Sequence, residues 1–353
     1  MNIDKTKPVM VTGATGYVAG WVVKRLLEEG LVVHAAIRQP ENKEKTKYLD
    51  EIAANSPGSI KYFKADLLTP GAYAEAMQGC QVVFHTASPF FLDVKDAQKE
   101  LIEPAKMGTR NVLEDVNKTE SVKRVVLTSS CAAIYGDNRD LYNAPQQTLT
   151  EEVWNTSSSV EHQPYSYSKM LAEKEAWDIC KEQDRWDLVT VNPSLVLGPG
   201  INPFGTSESF ALIKQMGDGT FKMGTPNWAI GVIDVRDLAE AHLRCAFIPE
   251  AKGRYIISAQ SSSFPHIASI LREKFGKAYP FPKKSLPKAM VWLFGPIVNP
   301  GLSRKAISYN VNHPWKADNS KSKKELGMEY RPLQESLADF FQQMIDNGYF
   351  NKK

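Results

Sequence analysis

The chain has 353 residues, of which 42% are hydrophobic and 24% charged, and its net charge is +3. That length suits one large α/β domain or two smaller ones sharing a core, and the composition is that of an ordinary globular protein. The near-neutral balance, with no dense Lys/Arg block, argues against a nucleic-acid partner.

Cys80, Cys131, Cys180 and Cys245 lie far apart with no C-x-x-C spacing, so they read as reduced, buried thiols. The first residues, "MNIDKTKPVMVTGATGYV", show no apolar run before a cleavage site, and no run elsewhere approaches bilayer length. A cytoplasmic protein with no membrane partner is expected. The longest apolar run, "AMVWLFGPIV" (289–298), carries a Gly-Pro break and reads as a buried helix end or a pocket wall.

In chain order, "PVMVTG" is a strand ending on glycine, "AGWVVKRLLEEG" an amphipathic helix closed by Gly30, "LVVHAAIR" strand two and "SIKYFKADL" strand three. A short helix "AYAEAMQGC" leads to "QVVFHTAS", strand four. A longer helix covers about 97–117, followed by "KRVVLTSS" and "DLVTVNPSLV" as strands five and six. Strands alternating with helices predict parallel βαβ units, with apolar runs because both faces of such a sheet are covered. After about Pro193, Pro and Gly become frequent, and only "IGVIDVRDLAEAHLRCAF" and the final "PLQESLADFFQQMIDN" look regular. The expected fold is α/β: a Rossmann doubly wound parallel sheet with a smaller, loop-rich C-terminal substrate domain. Residues 1–193 would bind a dinucleotide, with a strand return from about 229–258. Residues 194–353 would mainly bind substrate.

"VMVTGATGYVAGW" puts Gly13 and Gly16 between strand one and a helix. Glycine lets the backbone turn sharply and approach a pyrophosphate, and the helix N-terminus offers free N–H groups. The candidate cofactor contacts here are Gly13, Thr15, Gly16, Tyr17 and Val18, with Ala19 in the third small-residue slot. A structural turn in some other α/β protein is the plain alternative. At the end of strand two, NAD binders usually carry a carboxylate and NADP binders an arginine. This strand ends on Arg38, with Lys43 and Lys45 following and no carboxylate beside the arginine, so NADPH is the expected cofactor.

The pattern Tyr-x-x-x-Lys occurs three times, at Tyr165/Lys169, Tyr279/Lys283 and Tyr349/Lys353. Two prolines interrupt the second, and the third is the chain end. The first opens an amphipathic helix behind Pro164, so Tyr165 and Lys169 share one face while Tyr167 points elsewhere. An ammonium near a phenol favours the phenolate, which brings proton exchange with a carbonyl oxygen within reach of neutral pH. A partner hydroxyl is available at the C-terminal end of strand five, from Thr128, Ser129 or Ser130, where open α/β sheets bind ligands.

The chain resembles the extended short-chain dehydrogenase/reductase family along its whole length. The motifs are "TGATGYVAG", "KADL", "VFHTASPF", "GTRNVL", "VVLTSS", "YSYSK", "VNPSLVLGP" and "DVRDLAEAH". Within it, the chain looks like the branch of dihydroflavonol reductases, cinnamoyl-CoA reductases and microbial NADPH-dependent carbonyl reductases. The resemblance implies a catalytic Ser130–Tyr165–Lys169 triad. Aligning "TSS" gives Ser130, whereas aligning "IYG" would place Cys131 there; a thiol is the poorer hydrogen-bond partner, so Ser130 is chosen. It also implies that Asp66 and Leu67 flank an adenine. Thr86, Ala87, Ser88 and Thr128 would line the cofactor, and Pro193 and Val196 would sit at the nicotinamide. Asn111 would fix a helix kink or a water, or be structural only.

Phe90, Phe91, Tyr135, Phe204, Phe210 and Trp228 are candidate pocket aromatics, suiting an apolar or aromatic ketone or aldehyde; second-domain core is the alternative for each. The implied activity is carbonyl reduction by a monomer or homodimer acting on a small molecule. A nucleotide-sugar epimerase/dehydratase, a 3-hydroxysteroid-dehydrogenase-like enzyme and a non-catalytic NADP-binding sensor are the competing readings. The six histidines show no ligand-spaced pair, so no metal is expected.

Overall fold

Seven short, mostly apolar strands pair in parallel into one sheet, in a computed structural model that describes residues 2–88, 96–298 and 302–350. The first half runs β1 (Val9–Thr12), α1 (Tyr17–Glu28), β2 (Val32–Ile37), α2 (Lys43–Ala54), β3 (Ser59–Lys64), α3 (Ala74–Met77), β4 (Val82–His85), α4 (Glu103–Lys118), β5 (Arg124–Thr128), α5 (Pro164–Lys181) and β6 (Asp187–Pro193). The second half runs β7 (Leu195–Leu197), α6 (Glu208–Gly217), β8 (Thr225–Pro226), β9 (Ala229–Asp234), α7 (Val235–Phe247), β10 (Gly253–Ile257), β11 (Gln260–Ser263) and α8 (Phe264–Phe275). It closes with β12 (Ser285–Leu286), α9 (Lys288–Val298), α10 (Arg304–Asn310), α11 (Ser320–Glu325) and α12 (Leu333–Asp346).

The large sheet has the order β10-β6-β5-β4-β1-β2-β3. Its order reverses between β1 and β4, which makes the C-terminal ends of those strands the natural ligand crevice. β1 and β4 are buried along their whole length, as parallel strands covered on both faces should be. α1 covers one face with Val22, Val23, Leu26 and Leu27, the helical spacing read from the sequence, and packs beside α7. The long helix predicted over 97–117 starts as one wide π turn, Gln98–Ile102, before α4.

Strand six divides. After Pro193 the chain leaves the large sheet, and β7 joins a separate three-stranded sheet, β11-β9-β7. The return to the large sheet is therefore narrower than 229–258: α7 packs on it and β10 pairs with β6, while β9 stays in the small sheet. Behind the small sheet, α6, α8 and α12 enclose Phe210, Ile213, Met216, Leu337, Phe340 and Phe341. The run 289–298 is a second departure from expectation: it forms most of α9, and only Val291 of that helix is fully buried.

Candidate active site

The turn after β1 makes a cradle. Gly13 has φ +62°, and a Cβ there would stand 3.1 Å from the Cβ of Ala87, across the crevice. Thr12 Oγ1 ties the two walls by accepting from the Thr86 and Ala87 amides at 3.1 and 2.9 Å. Gly16 caps α1 without any side-chain bond, so the first-turn N–H groups have no capping oxygen of their own. Tyr17 offers only its backbone here. Its hydroxyl donates to the Gly198 carbonyl at 2.6 Å, and its ring meets Phe210 edge-on.

Arg38 follows β2, is exposed, and forms no ion pair among the described residues. Lys43 opens α2, also exposed. After β3, Asp66 accepts from the Leu68 amide at 2.9 Å, and the Leu67 carbonyl accepts from Asn111 Nδ2 at 3.0 Å. Gly108 leaves room for Leu67, since a Cβ there would fall 2.5 Å from its Cγ. The asparagine and glycine of "GTRNVL" thus hold the β3 loop from α4.

Pro164 is the first residue of α5, and Gln163 before it adopts the left-handed conformation (φ 55°, ψ 51°). Asp137 holds that entry, accepting from Gln163 Nε2 at 3.0 Å and Asn310 Nδ2 at 2.6 Å and pairing with His162 at 2.6 Å. Two residues on, Tyr165 presents a ring that is 46% exposed. Its hydroxyl lies beside the Ser130 side chain. Lys169 Nζ donates to Ser88 Oγ at 2.9 Å and lies 5.7 Å from the centre of the Tyr165 ring.

The end of β5 turns its residues in different directions. Ser130 Oγ accepts from the Ala132 amide at 3.1 Å, which leaves its O–H to face Tyr165. Cys131 is buried and donates its thiol to the Asn192 carbonyl at 3.3 Å. Ser129 donates inward to Glu173 at 2.5 Å, and Thr128 Oγ1 meets His242 Nε2 at 2.7 Å. The Thr128 hydroxyl is therefore engaged behind the sheet end.

Burial sets the protonation chemistry. Although the Tyr165 ring is half exposed, desolvation of its hydroxyl pushes the phenol up, opposed by the Ser130 side chain. The expected lowering by Lys169 is absent: the ammonium points at Ser88, so desolvation wins. Burial also pulls Lys169 down to about 8, and burial together with the Lys169 charge pushes His85 down to about 3.

Sequence reasoning missed Glu173, which lies fully buried one turn after Lys169. It accepts from Arg254 Nε at 2.6 Å and Asn192 Nδ2 at 2.8 Å as well as from Ser129. One carboxylate thus ties α5 to β5, β6 and β10. The signal was present: Tyr165, Lys169 and Glu173 repeat every four residues, placing a carboxylate on the helix face that meets the sheet.

The sequence profile of the NAD dependent epimerase/dehydratase family matches residues 9–257. The chain belongs to this extended short-chain dehydrogenase/reductase family. It is 35% identical to cinnamoyl-CoA reductase CAD2 of Medicago truncatula over 350 residues, covering 97% of each chain. It is 34% identical to dihydroflavonol 4-reductase of Gerbera hybrida, covering 79% of this chain and 75% of that one. Among solved structures, yeast methylglyoxal/isovaleraldehyde reductase Gre2 complexed with NADPH superposes with a TM-score of 0.76 at 29% identity, covering 97% of this chain and 99% of that one.

The aromatic pocket candidates of this family member do not converge. Phe90 and Phe91 lie outside the described residues. Phe210 is core, packed against Phe340. Tyr135 leans edge-on against Trp315 in another cluster. Trp228 packs on Val291, Ile307 and Val311, and exposed Phe204 stacks on Tyr349. Pro193 is buried at the end of β6 and Val196 is half-buried on β7. No helix of the described residues is long and apolar enough to cross a membrane.

Proposed function

We propose that this protein is an NADPH-dependent reductase that converts the carbonyl of an apolar or aromatic ketone or aldehyde into an alcohol. The observation that carries the reading is Ser130 beside the Tyr165 hydroxyl, with Lys169 one turn further along the same helix and 5.7 Å from the Tyr165 ring. The relatives support the class, being named as reductases of cinnamoyl-CoA, dihydroflavonol and methylglyoxal/isovaleraldehyde.

The chain's own residues fit the cofactor. The space that a Cβ at Gly13 would fill and the uncapped N-terminus of α1 suit a pyrophosphate. Exposed Arg38 and Lys43 would hold a 2′-phosphate. Asp66 and Leu67 would flank the adenine, Thr86, Ala87 and Ser88 the cofactor's middle, and Pro193 and Val196 its nicotinamide. When bound, NADPH supplies the hydride.

Ser130 would hold the carbonyl oxygen, and Tyr165 would give that oxygen its proton. The raised pKa keeps the phenol protonated and ready to donate. Once the proton has left, the phenolate would draw the Lys169 ammonium, 5.7 Å from the ring, away from Ser88. Lys169 would also reach the ribose hydroxyls.

The test follows oxidation of NADPH and NADH with aryl and alkyl ketones, diketones, aldehydes and CoA thioesters. Turnover of an apolar carbonyl with NADPH supports the reading. Activity confined to nucleotide sugars overturns it.

A further inference from the structure

Helix α9 has two apolar faces. Lys288, Val291 and Gly295 turn toward α10, where Val291 packs on Ile307 and Val311. The other face carries Met290, Leu293, Phe294 and Ile297, spaced i, i+3, i+4, i+7, and nothing in the described structure covers it. These side chains are 47%, 48%, 52% and 75% exposed. A soluble surface rarely leaves such a contiguous stripe to water unless it meets something apolar.

The charge around the stripe says what that is. The 44 residues between Glu273 and Asp318 hold eight Lys or Arg and no carboxylate, in a chain whose net charge is only +3. Lys283 and Lys284 are exposed just before the helix, and Arg304 lies 4.8 Å from the Trp292 ring on its flank. A single helix with an apolar outer stripe, a tryptophan at its edge and cations before it and on its flank matches the chemistry of an anionic bilayer surface. A second copy of this chain fits poorly, because a two-fold contact would set the same cations against each other.

We propose that the outer face of α9 docks this protein on anionic membranes, lying in the headgroup layer without spanning it. Docking at this one face departs from the expectation of no membrane partner. The docking is independent of the reductase reading, although an apolar carbonyl substrate would itself concentrate in a bilayer.

The test is flotation of the full chain with vesicles of phosphatidylcholine alone and with phosphatidylglycerol at about 3:1, where each basic residue near an anionic surface strengthens binding. Partitioning into the mixed vesicles should exceed that into phosphatidylcholine by about tenfold or more, and should fall at high salt. Leu293→Glu/Phe294→Glu should abolish it, and Lys283→Glu/Lys284→Glu should cut it about tenfold or more. Both variants sit on the surface, so each should keep the wild-type Tm and turnover of a water-soluble carbonyl. No flotation of the wild-type chain, equal flotation with both vesicles, or a dimer that Leu293→Glu/Phe294→Glu splits in place of vesicle binding would each overturn the proposal.

Discussion

The Ser130 side chain stands beside the Tyr165 hydroxyl, while Cys131, the next residue, points its thiol 3.3 Å from the Asn192 carbonyl inside the protein. One residue in the turn after β5 thus separates a group beside the crevice tyrosine from one in the core. Ser130→Ala should lower kcat by about 10²-fold with little change in cofactor affinity, as loss of one donor to a developing oxyanion does. Cys131→Ala should lower Tm through a small cavity and leave kcat within a few-fold. Steady-state kinetics and thermal melts of the two variants decide; the opposite pattern would move the reactive hydroxyl elsewhere.

Arg38 is exposed at the end of β2 and has no ion-pair partner among the described residues. Arg38→Asp should raise KM for NADPH far more than for NADH, because the loss falls on the 2′-phosphate. Equal changes for both cofactors would remove the phosphate-binding role.

Burial holds Lys169 at about 8, against an ordinary 10.5. The ammonium is the form that supports Tyr165, so carbonyl reduction should decline as pH rises through about 8; a rate still flat at about pH 10 would contradict this. The sign for stability runs the other way. Between about 8 and 10.5 the folded chain binds fewer protons than the unfolded one, so the penalty from this lysine is full below 8 and relieved as pH rises. Lys169→Met should therefore lose activity without a lower Tm at neutral pH.

Glu173 and Arg254 form a buried pair at 2.6 Å. Glu173→Ala leaves the guanidinium without its carboxylate and should cost about 3–5 kcal/mol in urea unfolding, the usual result of halving a buried pair. A loss below about 1 kcal/mol would mean that the Glu151 and Val153 carbonyls, which also accept from Arg254, suffice.

The parallel sheet, the glycine turn and the Tyr165–Lys169 register were legible because each rests on local spacing: period, glycine placement and one helical turn. Three other features depend on what the chain meets far away in sequence. Tyr17 and Phe210 looked like ligand contacts but pack together, because α12 brings Phe340 against both. The role of Glu173 could not be read from its helix alone, because its partner Arg254 lies 81 residues later. The run 289–298 looked buried on hydropathy alone, yet α10 covers only one side of it. The left-handed Gln163 has no sequence mark, since it is held by Asp137 and not by its own preference.

The most direct test of the account compares Tyr165→Phe with Tyr167→Phe in one assay. Tyr167 is half-buried and two residues off the Lys169 face. Tyr165→Phe should lower kcat by about 10²–10⁴-fold, the usual worth of a positioned proton donor, with NADPH affinity nearly unchanged. Tyr167→Phe should stay within about twofold of wild type. If Tyr167→Phe abolishes turnover while Tyr165→Phe retains it, the assignment of the proton donor is wrong.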